Sequence, residues 1–147
     1  MVGRTKRIKT RRTKRRSNLP KHYTGRLSRR DKKKQTDNIK KAQRSYKRGV
    51  YLDRPKLKSY KNKRSGWVQK FENKYDQKIT NKTFIHKNII TRKGQDLIIS
   101  KGRGAYYSSG SRPNQTADSW AYARLASVII GGPARKSDQK IWDQYKR

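Results

Sequence analysis

The sequence has no cysteine, which excludes disulfides, thiolate metal sites and thiol nucleophiles. Apolar residues make up 29% of the chain, against roughly 45–50% in ordinary globular proteins, so only part of it can form a core. No apolar run approaches the ~20 residues of a membrane span. Met1-Val2-Gly3-Arg4 lacks the apolar stretch of a secretory signal, so the expectation is a soluble chain that is not exported. Asn81-Lys82-Thr83 and Asn114-Gln115-Thr116 match the glycosylation pattern and, without export, are read as chance matches.

The parts of an enzyme are scarce as well. Two histidines, His22 and His86, stand in unrelated contexts with no ligand spacing around them. Nine Asp+Glu are dispersed along the chain and offer no paired carboxylates. A Walker-type phosphate loop is absent, and Gly102-Arg103-Gly104 is followed by Ala105-Tyr106-Tyr107, so a dinucleotide fingerprint fails at its third glycine. No catalytic residues, metal, cofactor or small-molecule substrate are expected.

What the chain has instead is positive charge: 43 Lys+Arg against 9 Asp+Glu, a formal +34. The charge is uneven, with 27 Lys+Arg and 3 Asp+Glu in residues 1–64 but 16 and 6 in residues 65–147, or +24 and +10. Self-repulsion at the first density opposes folding. The division expected is an extended basic arm over 1–27, a basic helix and extended linker over 28–64, and a small helical domain over 65–147 carrying a structured Gly/Ser/Tyr loop at 101–116. The fold class expected is mainly α, with few or no short strands, those near Ile85 and Ile90 remaining open.

Within the arm, Arg4, Lys6, Arg7, Lys9, Arg11, Arg12, Lys14, Arg15 and Arg16 place nine cations in thirteen residues. Such a run is costly unless a polyanion neutralises it. Asn18-Leu19-Pro20 punctuates the chain. A helix then begins at Ser28, whose hydroxyl can cap it, with Asp31 in the first turn and Gly49 as its stop. Ile39, Ala42 and Tyr46 form a narrow apolar stripe among Lys32, Lys33, Lys34, Lys40, Lys41, Arg44, Lys47 and Arg48, so this helix is expected to lie on a partner. Val50-Tyr51-Leu52 gives a brief apolar contact before Pro55.

Ser65-Gly66 starts the next helix, where Trp67, Val68, Phe71 and Tyr75 make an aromatic face. Packing against the C-terminal part is preferred for that face over base stacking. Thr91 to Ser100 reads as a helix with Leu97, Ile98 and Ile99 buried and Gly102 as its stop. The loop that follows has anion-binding parts in Arg103 and Arg112, with Tyr106 and Tyr107 able to stack. The plainer reading, that it locks two helices together with its tyrosines buried, is preferred. Ala117, Trp120, Ala121, Arg124, Leu125, Val128 and Ile129 then share one face of a helix capped by Thr116 or Asp118 and ended by Gly131-Gly132-Pro133. Arg124 either covers apolar surface with its stem or pairs with a buried carboxylate or phosphate, the first being preferred. Ser137 is expected to cap a last helix bearing Ile141, Trp142 and Tyr145.

Two stretches carry a resemblance. Leu19-Pro20-Lys21-His22-Tyr23 with Leu27 to Gly66 resembles a short basic domain of uncharacterised proteins of large nucleocytoplasmic DNA viruses of the algal-virus type, and Lys101 to Asp138 resembles a second virus-associated module. The resemblance implies a virion-associated protein, a minor capsid or internal component, and brings no catalytic residues. Its partners would be capsid proteins and, without a base-reading motif, nucleic acid bound irrespective of sequence. It would reside in the virion, and in host cytoplasm or nucleus during assembly. If ten of the 43 cations met phosphates, the log–log salt slope of DNA affinity would be about −9. A histone-like, genome-condensing protein is the alternative, and a ribonucleoprotein component a more distant one.

Overall fold

The computed structural model describes residues 19–147; the cations from Arg4 to Arg16 lie outside the described residues. The fold is mainly α, as the periodicities require: α1 (Lys21–Thr24), α2 (Arg29–Tyr46), α3 (Gly66–Tyr75), α4 (Lys82–Asn88), α5 (Arg92–Ser108), α6 (Ala117–Ile130), α7 (Pro133–Ser137) and α8 (Gln139–Tyr145). No strand forms among the described residues; Ile85 lies in α4, and Ile90 makes only an isolated antiparallel bridge to Lys146.

Helix α6 is the centre. Thr116 Oγ1 accepts from the Ser119 amide and Ser119 Oγ accepts from the Thr116 amide, a reciprocal cap that fixes its start. Gly131 ends it in the left-handed region at φ 90°. Arg135 from α7 reaches back to the last carbonyls, donating to Val128 O and Ile129 O, where a cation also meets the negative helix end. Ala121, Leu125, Ala126, Val128 and Ile129 are all buried, so more than one face is covered. Helix α5 packs most extensively on one side, α3 on another, and α7 follows at the C-terminal end. Burying side chains of the Leu, Val and Ile class contributes about 1.5–3 kcal/mol each.

The remaining core comes from Val68 and Phe71 of α3, Ile85 of α4, Ile89 and Ile90, and Ile98 and Ile99 of α5. Trp67 and Tyr75 pack half-buried against it, so the aromatic face of α3 is core. Leu97, expected to be buried, is 40% exposed, because Ile98 and Ile99 occupy the face that turns to α6.

Two boundaries differ from expectation. Helix α5 does not stop at Gly102 but runs through Gly102-Arg103-Gly104 to Ser108, so the loop begins at Ser109. Gly102 is there for proximity: a Cβ on it would lie 2.7 Å from the Ala121 Cα, and only a glycine lets α5 and α6 cross so closely. Ser137 does not cap α8; it is the last residue of the short helix that Pro133 opens, and Asp138 takes the N-cap position without a side-chain hydrogen bond.

Candidate functional site

The basic helix α2 forms as its sequence dictates. Ser28 Oγ accepts from the Asp31 amide, and Asp31 in turn accepts from the Ser59 amide and hydroxyl, which holds its carboxyl below the usual range. The expectation that the narrow stripe needs a separate partner is corrected. Gln35, Ile39 and Ala42 are at most 1% exposed, packed within this same chain. Helix α2 lies on α5, and Gly110, at φ +121°, brings the backbone so close that a Cβ would meet the Ile39 side chain at 2.9 Å.

Polar clamps complete the docking. Gln35 Nε2 donates to Ser111 O and Gln43 Nε2 to Ser109 O. Asn114 accepts from the Leu57 amide while its Nδ2 donates to Leu57 O and Asn62 Oδ1, gripping the extended segment as a neighbouring strand would. Tyr106 Oη accepts from the Arg54 amide and donates to Gln115 O. Residues 109–116 thus lock α2 and the extended segment in place, while Tyr106 and Tyr107, expected in the loop, lie in α5, the first buried and the second half-buried. The packing does not divide at residue 64: Arg54 and Leu57 of the supposed linker are buried.

With its inner face committed, α2 turns the rest outward. Lys32, Lys33, Lys34, Lys41 and Arg44 are exposed and Lys40 half-buried. None of the six forms an ion pair with a described residue. Asp37 is the one carboxylate between them along the helix. Lys47 and Arg48 extend the row past the helix end. Arg112 is also exposed, and it lowers the pKa of neighbouring His22, on which burial acts more strongly in the same direction. Arg103 is different, since its Nε donates to Asp118 at 2.7 Å.

At the C-terminal end of α2 the tyrosines converge. Tyr51 stacks on Tyr107 with centroids 5.1 Å apart, and the Tyr46 ring lies 5.4 Å from Tyr51. Tyr106 meets Tyr107 edge-on at 5.0 Å. Of these, Tyr106 is buried, Tyr107 half-buried, and Tyr46 and Tyr51 are 36% and 60% exposed. The sequence marks Tyr106 and Tyr107 but not their alignment with Tyr51, because nothing local links residues 46, 51 and 107; only the docking of α2 on α5 does.

Tyr106 and Tyr107 also line an open cavity of about 490 Å³, together with Asp53, Arg54, Lys56, Arg103 and the turn 114–118. Arg54 is 7% exposed, its guanidinium carbon 4.8 Å from the Tyr106 ring centroid. Its Nη2 donates to Leu52 O, whereas Nε and Nη1 are buried without a hydrogen-bond partner among the described residues. Burial lowers the Arg54 pKa, partly opposed by Tyr106, and burial raises that of Tyr106; arginine stays charged regardless. No period or motif in the sequence singles out Arg54.

Other charged groups are structural. Arg124 pairs with Asp138 through Nε at 2.7 Å and Nη2 at 2.9 Å, and Lys101 Nζ approaches the same carboxylate at 2.9 Å. The preference for Arg124 as an apolar cover is therefore corrected to its alternative, a buried ion pair. Burial pushes the Asp138 carboxyl up, but hydrogen bonds and charge from Arg124 and Lys101 outweigh it and hold the group below the usual range. His86 Nδ1 accepts from the Arg92 amide, a turn-closing role. No group of three or more His, Cys, Asp or Glu able to hold a metal ion occurs among the described residues, and no helix there is long and apolar enough to cross a membrane.

Comparison with known proteins gives one match. Residues 20–144 match a family of unknown function, DUF5824. No curated protein and no solved structure matches the chain. The matched span runs from Pro20, just before α1, into α8, covering both the cation-bearing helix and the core that holds it; the chain belongs to this family of unknown function, DUF5824.

Proposed function

We propose that this protein is a non-catalytic structural component of a large DNA virus particle, a minor capsid or internal protein that ties polyanions to its folded domain. The observation that carries the polyanion part is the outer face of α2, where six cations stand without an ion-pair partner among the described residues while the inner face is fixed on α5. Concentrated positive charge held on a rigid helix raises the local concentration of anions and loses affinity with salt. The basic run Arg4 to Arg16 would add to it. The particle as the setting rests on the resemblance of residues 27–66 and 101–138 to viral proteins, where acidic capsid surfaces and packaged genome are the available polyanions. The second reading, sequence-independent genome condensation, is favoured by the same unpaired cations, which meet phosphates irrespective of base sequence.

The test is a titration of the full chain against duplex DNA and against polyglutamate over a range of salt. Binding to both at low salt, falling steeply as salt rises, is the expected result. Failure to bind either polyanion at low salt would overturn the reading. In particles, retention on empty shells after nuclease and high salt favours the capsid role, and release with the DNA favours condensation.

A further inference from the structure

We propose that Tyr51, stacked on Tyr107, which with Lys56 and Arg103 lines the cavity, is a base-stacking platform for single-stranded nucleic acid. The inference deepens the polyanion reading and rests on it, adding a ligand class and a site. Four large apolar side chains are exposed on the described surface, and three of them, Tyr46, Val50 and Tyr51, fall within six residues of one another. Tyr51 leaves 60% of its surface to solvent although its ring is already aligned on Tyr107. An aromatic pair in that state is pre-organised, because the ring geometry is set before a ligand arrives and little side-chain freedom is left to lose.

The charge around the rings selects the occupant. Lys47 and Arg48 are exposed and lie between Tyr46 and Tyr51 in the chain. Beyond Tyr107 the cavity presents Lys56 and Arg103, and buried Arg54 adds a positive charge against the Tyr106 ring. Two carboxylates share the cavity: Asp118 is held by Arg103, and Asp53 is exposed beside Arg54. Exposed cations thus precede Tyr51 in the chain at Lys47 and Arg48, and Lys56 and Arg103 share with Tyr107 the lining of the cavity. A flexible strand with phosphates on the cations and an unpaired base on an aromatic face matches that pattern. Duplex DNA offers no free base face, so it engages the cations of α2 without using Tyr51. An acidic peptide pairs with the cations and likewise has no use for the stacked rings.

The experiment compares the full chain with Tyr51→Ala and Tyr51→Phe, using labelled oligothymidylate and oligouridylate of twelve residues and a duplex of mixed sequence. Tyr51→Ala is expected to weaken binding of the tighter single strand by about tenfold, to leave the duplex within about twofold, and to keep the helical signal; Tyr51→Phe keeps single-strand affinity because it keeps the ring. The two single strands distinguish DNA from RNA as the source of the base. An unchanged single-strand affinity in Tyr51→Ala, an equal loss on the duplex, or an equal loss in Tyr51→Phe would overturn the platform. If Tyr51→Ala is silent while charge reversal on α2 abolishes duplex binding, the platform fails and the polyanion reading stands. If the unaltered chain binds neither strand nor duplex, both fail.

Discussion

Residues 19–64 and residues 65–147 are built by different means. The second region gathers thirteen buried apolar side chains around α6 into one core cluster. The first contributes none of those thirteen; its buried apolar residues are Ile39, Ala42 and Leu57. It is held instead by side chains and backbone groups of the loop 109–116, with Gln35, Gln43 and Asn114 as clamps. A segment with little apolar area can thus be ordered when a neighbour supplies directional hydrogen bonds, each worth roughly 0.5–1.5 kcal/mol net. The arrangement leaves the cations on the outer face of α2 unspent on folding. High charge among the described residues is carried by a docked helix.

The comparison can be broken at its strongest point first. Asp138→Ala leaves Arg124 half-buried with its carboxylate gone and is expected to destabilise the core region by about 3 kcal/mol, read as a lowered denaturation midpoint. Because the folded Asp138 pKa lies below the unfolded one, its stabilisation is present above the unfolded value and is lost as pH falls through the folded value. Denaturation midpoints measured downward from neutral pH should therefore fall in acid for the natural chain and show less of that fall in Asp138→Ala.

Gly102→Ala comes next, at about 2 kcal/mol, since the added Cβ meets the Ala121 backbone and overpacks the α5–α6 crossing. An unchanged midpoint would mean that the crossing is not close. Asn114→Ala should cost about 1–2 kcal/mol and act selectively. Amide exchange over residues 50–64 should speed up while α5 and α6 stay protected. Uniform loss of protection would show that the two regions melt as one unit. The smallest effect belongs to Lys33→Gln with Lys40→Gln and Arg44→Gln, expected to stay within about 0.5 kcal/mol of the natural stability by thermal melting.

Much of this architecture was legible in sequence, for reasons that differ by element. Ser28, Ser65, Thr91 and Thr116 all accept from an amide three residues on, so local chemistry marked the helix starts well. The aromatic face of α3 followed from spacing alone. Glycine was misleading at Gly102, where the residue serves a helix crossing and not a helix end; a propensity argument cannot distinguish the two without the partner helix. Arg124 looked like a solvent-edge residue because Asp138 is fourteen positions away and on another element. The cations of the site were plain from composition. The tyrosine row and buried Arg54 were not, since both depend on contacts between α5 and the segment 46–54 that no periodicity encodes.

The account's central claim is that the α2 cations serve a polyanion and not the fold. Its most direct test is the salt dependence of duplex DNA affinity for the natural chain and for the triple variant Lys33→Gln, Lys40→Gln, Arg44→Gln. Removal of three phosphate contacts should make the log–log slope shallower by about 2.7, at about 0.9 per contact, with thermal stability unchanged. An identical slope in the two proteins would contradict the claim.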